Sequence, residues 1–289
     1  MPLLNADRLL NFDEAPTIEA YTETDTMLYG LSLGYGSDPL DERQLRYVFE
    51  RDLVAVPTMA HTLAMDASWI TDPASGIDLA KMLHAESGLT VHNPLPASGR
   101  VSSKLKIPEI IDKGEGRGAL LYFARELSDA ATGQHLATIT STFFLRGNGG
   151  FGGANRSASP PAAIPDRAAD FSLPIATLPQ SALLYRLTGD DNPLHADPEL
   201  ARKVGFDRPI LHGSCTYGVA CRALIHLVCG DDPHRLGRID VRFTAPTYPG
   251  EALLTEVWNM GEGQFVFRCR VVERDIVVLN HGVAQLRDA

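Results

Sequence analysis

A short polar stretch in the second half of the chain contains residue types that could perform acid–base chemistry. Asp190 and His195 lie five positions apart. Between them, Asn192-Pro193 favours a tight turn, because proline restrains its own φ and the residue before it. Such a rigid loop could hold a carboxylate and an imidazole together, one to take a proton from water and one to donate a proton. Asp190 and Asp191 could equally be turn formers, with His195 at the surface, and the spacing alone leaves both interpretations open.

A second candidate is Gly213, which stands immediately before an apolar, helix-like run over 214–228. The first backbone N–H groups of a helix are unpaired and lie at the positive end of its dipole. A glycine there lets a ligand carbonyl approach the main chain, where an N–H group would stabilise an enolate-like transition state. The alternative is that Gly213 and Ser214 simply begin the helix.

Other candidate motifs in the sequence give weaker support for a functional site. The glycine-rich stretch 147–153 lacks the Lys-Ser/Thr pair of a phosphate-binding loop and opens no predicted helix, so a flexible strand exit is the better interpretation. No Gly-x-Ser-x-Gly elbow occurs, and the nine histidines form no His-Glu-x-x-His motif or tight His/Cys cluster. We therefore expect neither serine hydrolysis nor a bound metal.

These residues must be positioned by two halves of similar size. The stretch 154–170 is rich in Ser, Ala and Pro without apolar periodicity, and its three prolines prevent a regular helix or a central strand. We predict an N-terminal domain over 1–153, a linker over 154–170 and a C-terminal domain over 171–289.

The two halves repeat the same order of features. In each half an apolar, helix-like run precedes several strand-like runs. The helix-like run starts near residue 55 and ends near Met65 in the first half, and it covers 214–228 in the second. These runs cover 100–107, 118–127 and 134–145 in the first half, and 238–243, 251–258, 264–272 and 276–286 in the second. One helix followed by antiparallel strands, present twice, predicts two packed α+β units. Asp197 and Pro198 predict the N-cap and first residue of a further short helix, which continues through Val204 and is stopped by Gly205.

Composition excludes several classes of protein. The 289 residues carry 26 Lys and Arg against 36 Asp and Glu, a net charge of -10 that disfavours general nucleic-acid binding. No run of about 18 apolar residues predicts a membrane span, and the first residues do not resemble a signal peptide. The four cysteines form no Cys-x-x-Cys pair, and Cys215 and Cys221 are expected to be buried reduced thiols. We predict a soluble cytoplasmic protein.

The stretch YRLTGDDNPLH at 185–195, followed by ADPELARKVGFDRPILHG at 196–213, resembles the signature of the hydratase 2 family. These are the (R)-specific enoyl-CoA hydratases of the MaoC-like group. Short segments of the first half are also similar to the two-domain form, as in the hydratase portion of peroxisomal multifunctional enzyme type 2; they are 29–34, 47–50, 56–58, 91–92, 95–96, 111–114 and 149–153. The resemblance implies a double hot-dog fold, with two curved antiparallel sheets each wrapped around a central helix.

The resemblance also implies an activity, the reversible addition of water to a trans-2-enoyl-CoA to give a (3R)-3-hydroxyacyl-CoA. It places the catalytic residues at Asp190, His195 and Asn192, and the oxyanion glycine at Gly213. Further substrate-binding positions are Pro193, His212 and Ser214. The first half, which lacks the catalytic loop, would accommodate the acyl chain. No cofactor is expected beyond the coenzyme A that the substrate carries.

Three alternatives remain open. The same fold could serve a dehydratase of branched, dicarboxylic or steroid-side-chain acyl-CoA, since the motif does not discriminate among these substrates. A thioesterase would release free coenzyme A, and a non-catalytic protein would bind acyl-CoA without turnover. The two-domain members of the family also suggest a homodimer.

Overall fold

The computed structural model describes residues 3–156 and 160–287, within which ten antiparallel strands form one continuous sheet. The strands are β1 (Thr17–Tyr21), β2 (Met82–Val91), β3 (Gly99–Asp112), β4 (Ala119–Asp129), β5 (His135–Leu145), β6 (Phe171–Ala176), β7 (Leu236–Phe243), β8 (Ala252–Gly261), β9 (Gln264–Val271) and β10 (Ile276–Leu286). Their order across the sheet is β1-β3-β4-β5-β2-β7-β10-β9-β8-β6. The predicted α+β class is confirmed, and the two halves share a single sheet.

The halves meet where β2 pairs with β7. In this pairing Leu89 lies opposite Ile239, and Glu86 lies opposite Arg242. Leu89 and Ile239 are buried, whereas Glu86 and Arg242 form an ion pair at 2.5 Å on the other face of the sheet. The alternation predicted for 238–243 therefore corresponds to a strand with one apolar face.

Seven α-helices accompany the sheet in the described residues. They are α1 (Ala6–Leu10), α2 (Glu23–Ser32), α3 (Glu42–Leu45), α4 (Ser68–Thr71), α5 (Ser181–Tyr185), α6 (Pro198–Lys203) and α7 (Gly213–Leu227). None of the described helices combines the length and the apolar character needed to cross a membrane.

Helix α7 is the central helix of the second half. Its apolar residues point in nearly all directions, which suits a helix that the sheet covers on most sides. A Cβ atom on Gly218 would come within 2.6 Å of the Leu33 side chain, so this glycine permits close packing against α2. Cys215 and Cys221 are buried free thiols in α7, as predicted.

The equivalent run of the first half differs from the expectation. Instead of an α-helix reaching Met65, the chain forms one 3-10 turn, Pro57–His61. The guanidinium of Arg125, which is buried, donates to the carbonyl oxygens of His61 at 2.7 Å and Leu63 at 2.8 Å. A side chain on β4 therefore satisfies carbonyl groups that a longer helix would pair within itself.

The glycine-rich stretch is an anchored loop. Backbone N–H groups of Gly114, Gly150 and Gly152 donate to the carboxylate of Asp112 at 2.7–2.9 Å. Gly150 and Gly152 have φ values of +87° and +84°, which a residue with a side chain rarely adopts. Because these N–H groups already bind an internal carboxylate, the loop does not offer them to a phosphate.

The predicted linker contains neither helix nor strand in its described residues, 154–156 and 160–170. Its backbone is held against the sheet, because His281 Nδ1 donates to the carbonyl of Ala162 at 2.7 Å. The indole N–H of Trp258 donates to the carbonyl of Arg167 at 2.9 Å. Residues 1–2, 157–159 and 288–289 of the predicted segments lie outside the described residues, and the domain boundaries stay a prediction.

Candidate active site

The polar loop folds around the predicted turn. After α5 the chain continues through a 3-10 turn to Gly189, whose φ is +121°. The Asn192 side chain then accepts a hydrogen bond from the N–H of Leu194 at 3.0 Å and caps a second 3-10 turn, Pro193–His195. Asn192 thereby fixes the short connection from Asp190 to His195.

His195 is held in one tautomer by the main chain. Its Nδ1 atom lies 2.9 Å from the carbonyl oxygen of Ile210. Because a carbonyl can only accept, Nδ1 carries the proton and Nε2 keeps a free lone pair. Burial lowers the pKa of His195, although the Ile210 carbonyl and the Asp190 carboxylate act in the opposite direction. A neutral imidazole with a free Nε2 can act as a base.

Asp190 lies beside this imidazole. Its carboxylate oxygen, a ring nitrogen of His195 and a ring nitrogen of His212 all lie within 4.8 Å of one another. Asp190 is half-buried and His195 is buried, which places the pair at the edge of the interior. This juxtaposition favours the acid–base interpretation of the loop over the interpretation as a surface turn.

His212 completes the cluster from a different segment. Its Nε2 donates to the backbone carbonyl of Asp190 at 3.0 Å, and its ring is stacked on that of His195 with centroids 3.6 Å apart. His212 has no exposed surface, and its Nδ1 atom has no hydrogen-bond partner among the described residues. Burial, with a contribution from His195, lowers the pKa of His212 to about 3, so this ring is neutral.

Gly213 begins α7 directly behind the cluster. His212 occupies the N-cap position and makes no side-chain cap bond to the first turn. A Cβ atom on Gly213 would lie 3.1 Å from a ring atom of Phe243, so a side chain there would press on this ring. The helix start, with N–H groups free of a side-chain cap, can therefore face a ligand oxygen.

The remaining predicted residues take different positions. Asp191 and Pro193 are exposed on the loop, and Ser214 is half-buried in the first turn of α7. The Asp197 carboxylate accepts from Glu199 N at 2.8 Å and caps α6, which confirms its predicted role as a helix N-cap. Substrate binding by Pro193, His212 and Ser214 stays a prediction.

The geometry of the cluster bears on whether it could hold a metal ion. Asp190, His195 and His212 are residue types that bind zinc. The two imidazole rings, however, are nearly parallel, with 27° between their planes, so their in-plane lone pairs do not converge on one point. The geometry therefore suits proton transfer better than tetrahedral coordination.

Comparisons with known proteins identify the family of the chain. Residues 161–281 match the model of the MaoC-like domain, and residues 20–147 match that of the MFE-2 hydratase 2 N-terminal domain. The chain is 38% identical to enoyl-CoA hydratase ChsH3 of Mycobacterium tuberculosis, across 93% of this chain and 94% of that protein. It is 36% identical to the peroxisomal enoyl-CoA hydratase 2 of Arabidopsis thaliana, across 95% and 93%. To the peroxisomal multifunctional enzyme type 2 of Mus musculus it is 35% identical, across 92% of this chain and 36% of that protein.

Solved structures agree with the fold. A MaoC-like dehydratase from Phytophthora capsici superposes with a TM-score of 0.86 at 34% identity, covering 99% of this chain and 100% of that one. A Mycobacterium tuberculosis protein described as a double hot-dog fold matches with a TM-score of 0.56 at 15% identity, covering 95% and 94%. The double hot-dog fold expected from the resemblance is confirmed.

One prediction is corrected by the comparisons. The predicted cytoplasmic location is wrong, because the Arabidopsis thaliana and Mus musculus relatives are named as peroxisomal proteins. Cellular addresses are short segments that receptors recognise, so composition and charge do not report them. The two domain matches and the relatives that the chain covers over nearly their full length agree with one another, and the chain belongs to the hydratase 2 family of MaoC-like enoyl-CoA hydratases.

Proposed function

We propose that the protein catalyses the reversible syn hydration of a trans-2-enoyl-CoA to a (3R)-3-hydroxyacyl-CoA. One observation carries the proposal. The Asp190 carboxylate and the His195 imidazole, with its free Nε2, lie together in front of the N-terminus of α7 at Gly213. Relatives of nearly the same length are named enoyl-CoA hydratases.

In this mechanism Asp190 and His195 hold one water molecule between them. One of the pair takes a proton from the water as its oxygen adds to the β-carbon. The pair then delivers a proton to the α-carbon, and because both groups lie on one side of the substrate, the addition is syn. General acid–base catalysis of this kind typically contributes about 10²–10⁴-fold to the rate.

Gly213 acts on the other end of the reacting system. Its N–H donates to the thioester oxygen, on which negative charge develops as the double bond is attacked. One such donor is typically worth about 10²–10³-fold in turnover. Asn192 acts indirectly, because its side chain caps the turn that carries His195.

We further propose that the acyl chain runs from Gly213 into the first half. Aromatic rings mark this direction: Phe243 contacts His84 at 4.8 Å, His84 contacts Phe143 at 5.3 Å, and Phe143 contacts Trp69 at 6.3 Å between centroids. Trp69 belongs to an apolar cluster of the first half that is separate from the main core. A chain lying along these rings would find an apolar surface for its methylene groups.

The first test is a spectrophotometric assay of the enoyl-thioester band with crotonyl-CoA and trans-2-decenoyl-CoA. Coupled (R)- and (S)-specific dehydrogenases report the chirality of the product, and the proposal expects the (R)-alcohol. Release of free coenzyme A would indicate a thioesterase. Binding without turnover on short, long and branched enoyl-CoA would indicate an acyl-CoA-binding protein and would overturn the proposal.

Phe143→Leu tests the path of the acyl chain. The shorter side chain should raise KM for trans-2-decenoyl-CoA by about tenfold, the scale of a lost apolar contact. Crotonyl-CoA has too short a chain to reach Phe143, so its KM should not change. Equal effects on both substrates would contradict the path.

We also propose that the protein is a homodimer, as in two-domain members of the family. Sedimentation equilibrium should then give about twice the chain mass of 31.4 kDa. A mass equal to that of one chain at micromolar concentration would contradict the dimer.

A further inference from the structure

We propose that His212 is a positioning residue, which sets the location of the acid–base pair relative to the start of α7. The inference rests on the proposed function, because it assigns His212 a role in the same reaction. In this role His212 does not contact the substrate; it contacts Asp190 and His195, which act on the substrate.

The first observation is a hydrogen bond to the main chain of the loop. His212 Nε2 donates to the carbonyl oxygen of Asp190 at 3.0 Å, across 22 positions of sequence. Because the acceptor belongs to the backbone, the bond fixes the loop and leaves the Asp190 carboxylate free for chemistry. The bond also determines that Nε2 carries the proton of the ring.

The second observation is the pair of stacked rings. The His212 ring lies against that of His195, with centroids 3.6 Å apart, and its centroid is 4.9 Å from that of Tyr185. Tyr185 and His212 have no exposed surface, so the ring that supports His195 cannot move without displacing the core. His195 is therefore held by Ile210 at Nδ1 and by His212 on one face.

The third observation is the attachment of His212 to α7. His212 is the N-cap residue, and its carbonyl accepts from the N–H of Thr216 at 3.0 Å and from the Thr216 hydroxyl at 3.3 Å. Gly213 follows it directly in the chain. One residue thus joins Asp190, His195 and the oxyanion position, three groups that lie on two different segments.

The neutral state of His212 fits this role. The groups that face it are His195, Asp190, Tyr185 and the more distant Arg186. A second positive ring stacked on His195 would oppose the protonation of His195 during the reaction. Burial keeps His212 uncharged, so His195 can gain and lose its proton beside it.

Two substitutions separate the hydrogen bond from the shape of the ring. His212→Gln places an N–H donor at about the reach of Nε2, whereas His212→Phe keeps a flat ring and removes the donor. We expect His212→Phe to lower kcat with crotonyl-CoA by about 10–100-fold, the cost of sub-ångström misplacement of catalytic groups, with KM changed less than threefold. His212→Gln should recover most of this loss.

A control and a second pair keep the test decisive. His226→Phe alters an exposed histidine in the last turn of the same helix and should leave kcat unchanged. If His212→Phe does not fold, His212→Asn replaces it, because its amide is too short to reach the Asp190 carbonyl while Gln is not. Equal losses in the Gln and Phe (or Asn) variants, or wild-type kcat in all of them, would overturn the proposal.

A measurement without substrate separates this proposal from the proposed function. Imidazole ¹⁵N shifts of the wild-type protein should show His212 neutral and protonated at Nε2 from pH 8 to pH 5. A Nδ1–H tautomer, or titration of His212 near pH 6.5, would overturn the positioning role even if the enzyme is an active hydratase. Inactivity of the wild-type protein on every enoyl-CoA would contradict the proposed function while leaving this result intact.

Discussion

The Nδ1 atom of His195 lies 2.9 Å from the carbonyl oxygen of Ile210, and this bond decides which nitrogen of the ring can work as a base. Since Nε2 is the free atom, removal of the ring should abolish proton transfer without disturbing the core. We expect His195→Ala and Asp190→Asn each to lower turnover by several orders of magnitude, with little change in melting temperature. Initial rates and thermal denaturation of the same preparations measure both quantities.

Asp191→Asn is the matched control for Asp190→Asn. Asp191 is the exposed neighbour in the same loop, and it engages Arg186 through its backbone carbonyl, which the substitution leaves in place. The turnover of Asp191→Asn should stay within threefold of wild type. A loss at Asp191 as large as at Asp190, or near-normal turnover of Asp190→Asn, would contradict the assignment.

Buried histidines make the stability of the fold dependent on pH. Burial lowers the pKa of His84 to about 4 and that of His212 to about 3, below the value of about 6.5 in an unfolded chain. Below pH 6.5 the unfolded state therefore binds more protons, and stability decreases by up to about 1.4 kcal/mol per pH unit for each such histidine. The melting temperature should decrease steadily from pH 7 to pH 5.

His84→Leu tests this dependence, because it removes one of the histidines. Denaturant titrations between pH 7 and pH 5 give the slope of unfolding free energy against pH. In the variant this slope should become shallower by up to about 1.4 kcal/mol per pH unit, because one proton fewer is taken up on unfolding. A wild-type slope of zero in this range would mean that the folded and unfolded states bind equal numbers of protons, which would contradict the lowered pKa values.

Gly213→Ala tests the start of α7. The new Cβ would lie 3.1 Å from the Phe243 ring, so the ring or the first turn must shift by a few tenths of an ångström. We expect kcat to decrease by about 10–100-fold, because the oxyanion N–H is displaced, with only a small change in melting temperature. Steady-state kinetics of the purified variant would measure this.

Gly218→Ala gives the opposite pattern on the same helix. Its Cβ would come within 2.6 Å of the Leu33 side chain, so stability should decrease while kcat per folded molecule is retained. If both glycine variants lose kcat and stability together, the special role of Gly213 is not supported.

Arg125→Met tests the shortened turn of the first half. Without the guanidinium, the carbonyl groups of His61 and Leu63 lose their buried donor. At about 1–3 kcal/mol for each unsatisfied group, the free energy of unfolding should decrease by about 2–6 kcal/mol. Arg125→Lys, which keeps a charged donor, should lose less, and chemical denaturation of both variants would compare them.

The strands of the fold could largely be predicted from alternating apolar residues and intervening turns. The runs over 118–127, 134–145 and 276–286 correspond closely to β4, β5 and β10. The sequence pattern does not predict strand β2, because this strand contains His84, Glu86 and Gly88 and lies in the middle of the sheet between β5 and β7. Such a strand is stabilised mainly by pairing and packing with its neighbours, so its own sequence carries only a weak strand signal.

The site could be predicted only in part. The spacing of Asp190 and His195 indicated an acid–base pair, and the family resemblance selected it over a surface turn. His212 was predicted to bind substrate, but no local pattern could reveal that its ring stacks on His195 from a separate segment. Contacts between segments depend on tertiary packing, which one-dimensional spacing does not report.

The pairing of β2 with β7 has a consequence for any attempt to divide the molecule. The two strands pair over residues 86–90 and 238–242, so a separately produced first half would expose this five-residue stretch of β2, and a second half would expose the matching stretch of β7. Open edges of this length recruit other strands, so each fragment alone should aggregate, whereas the two produced together should find each other. Cleavage of the chain within 160–170 would therefore leave the two halves associated through the pairing of β2 with β7. The protein could then serve as a split reporter, in which enzymatic activity signals that the two halves have associated.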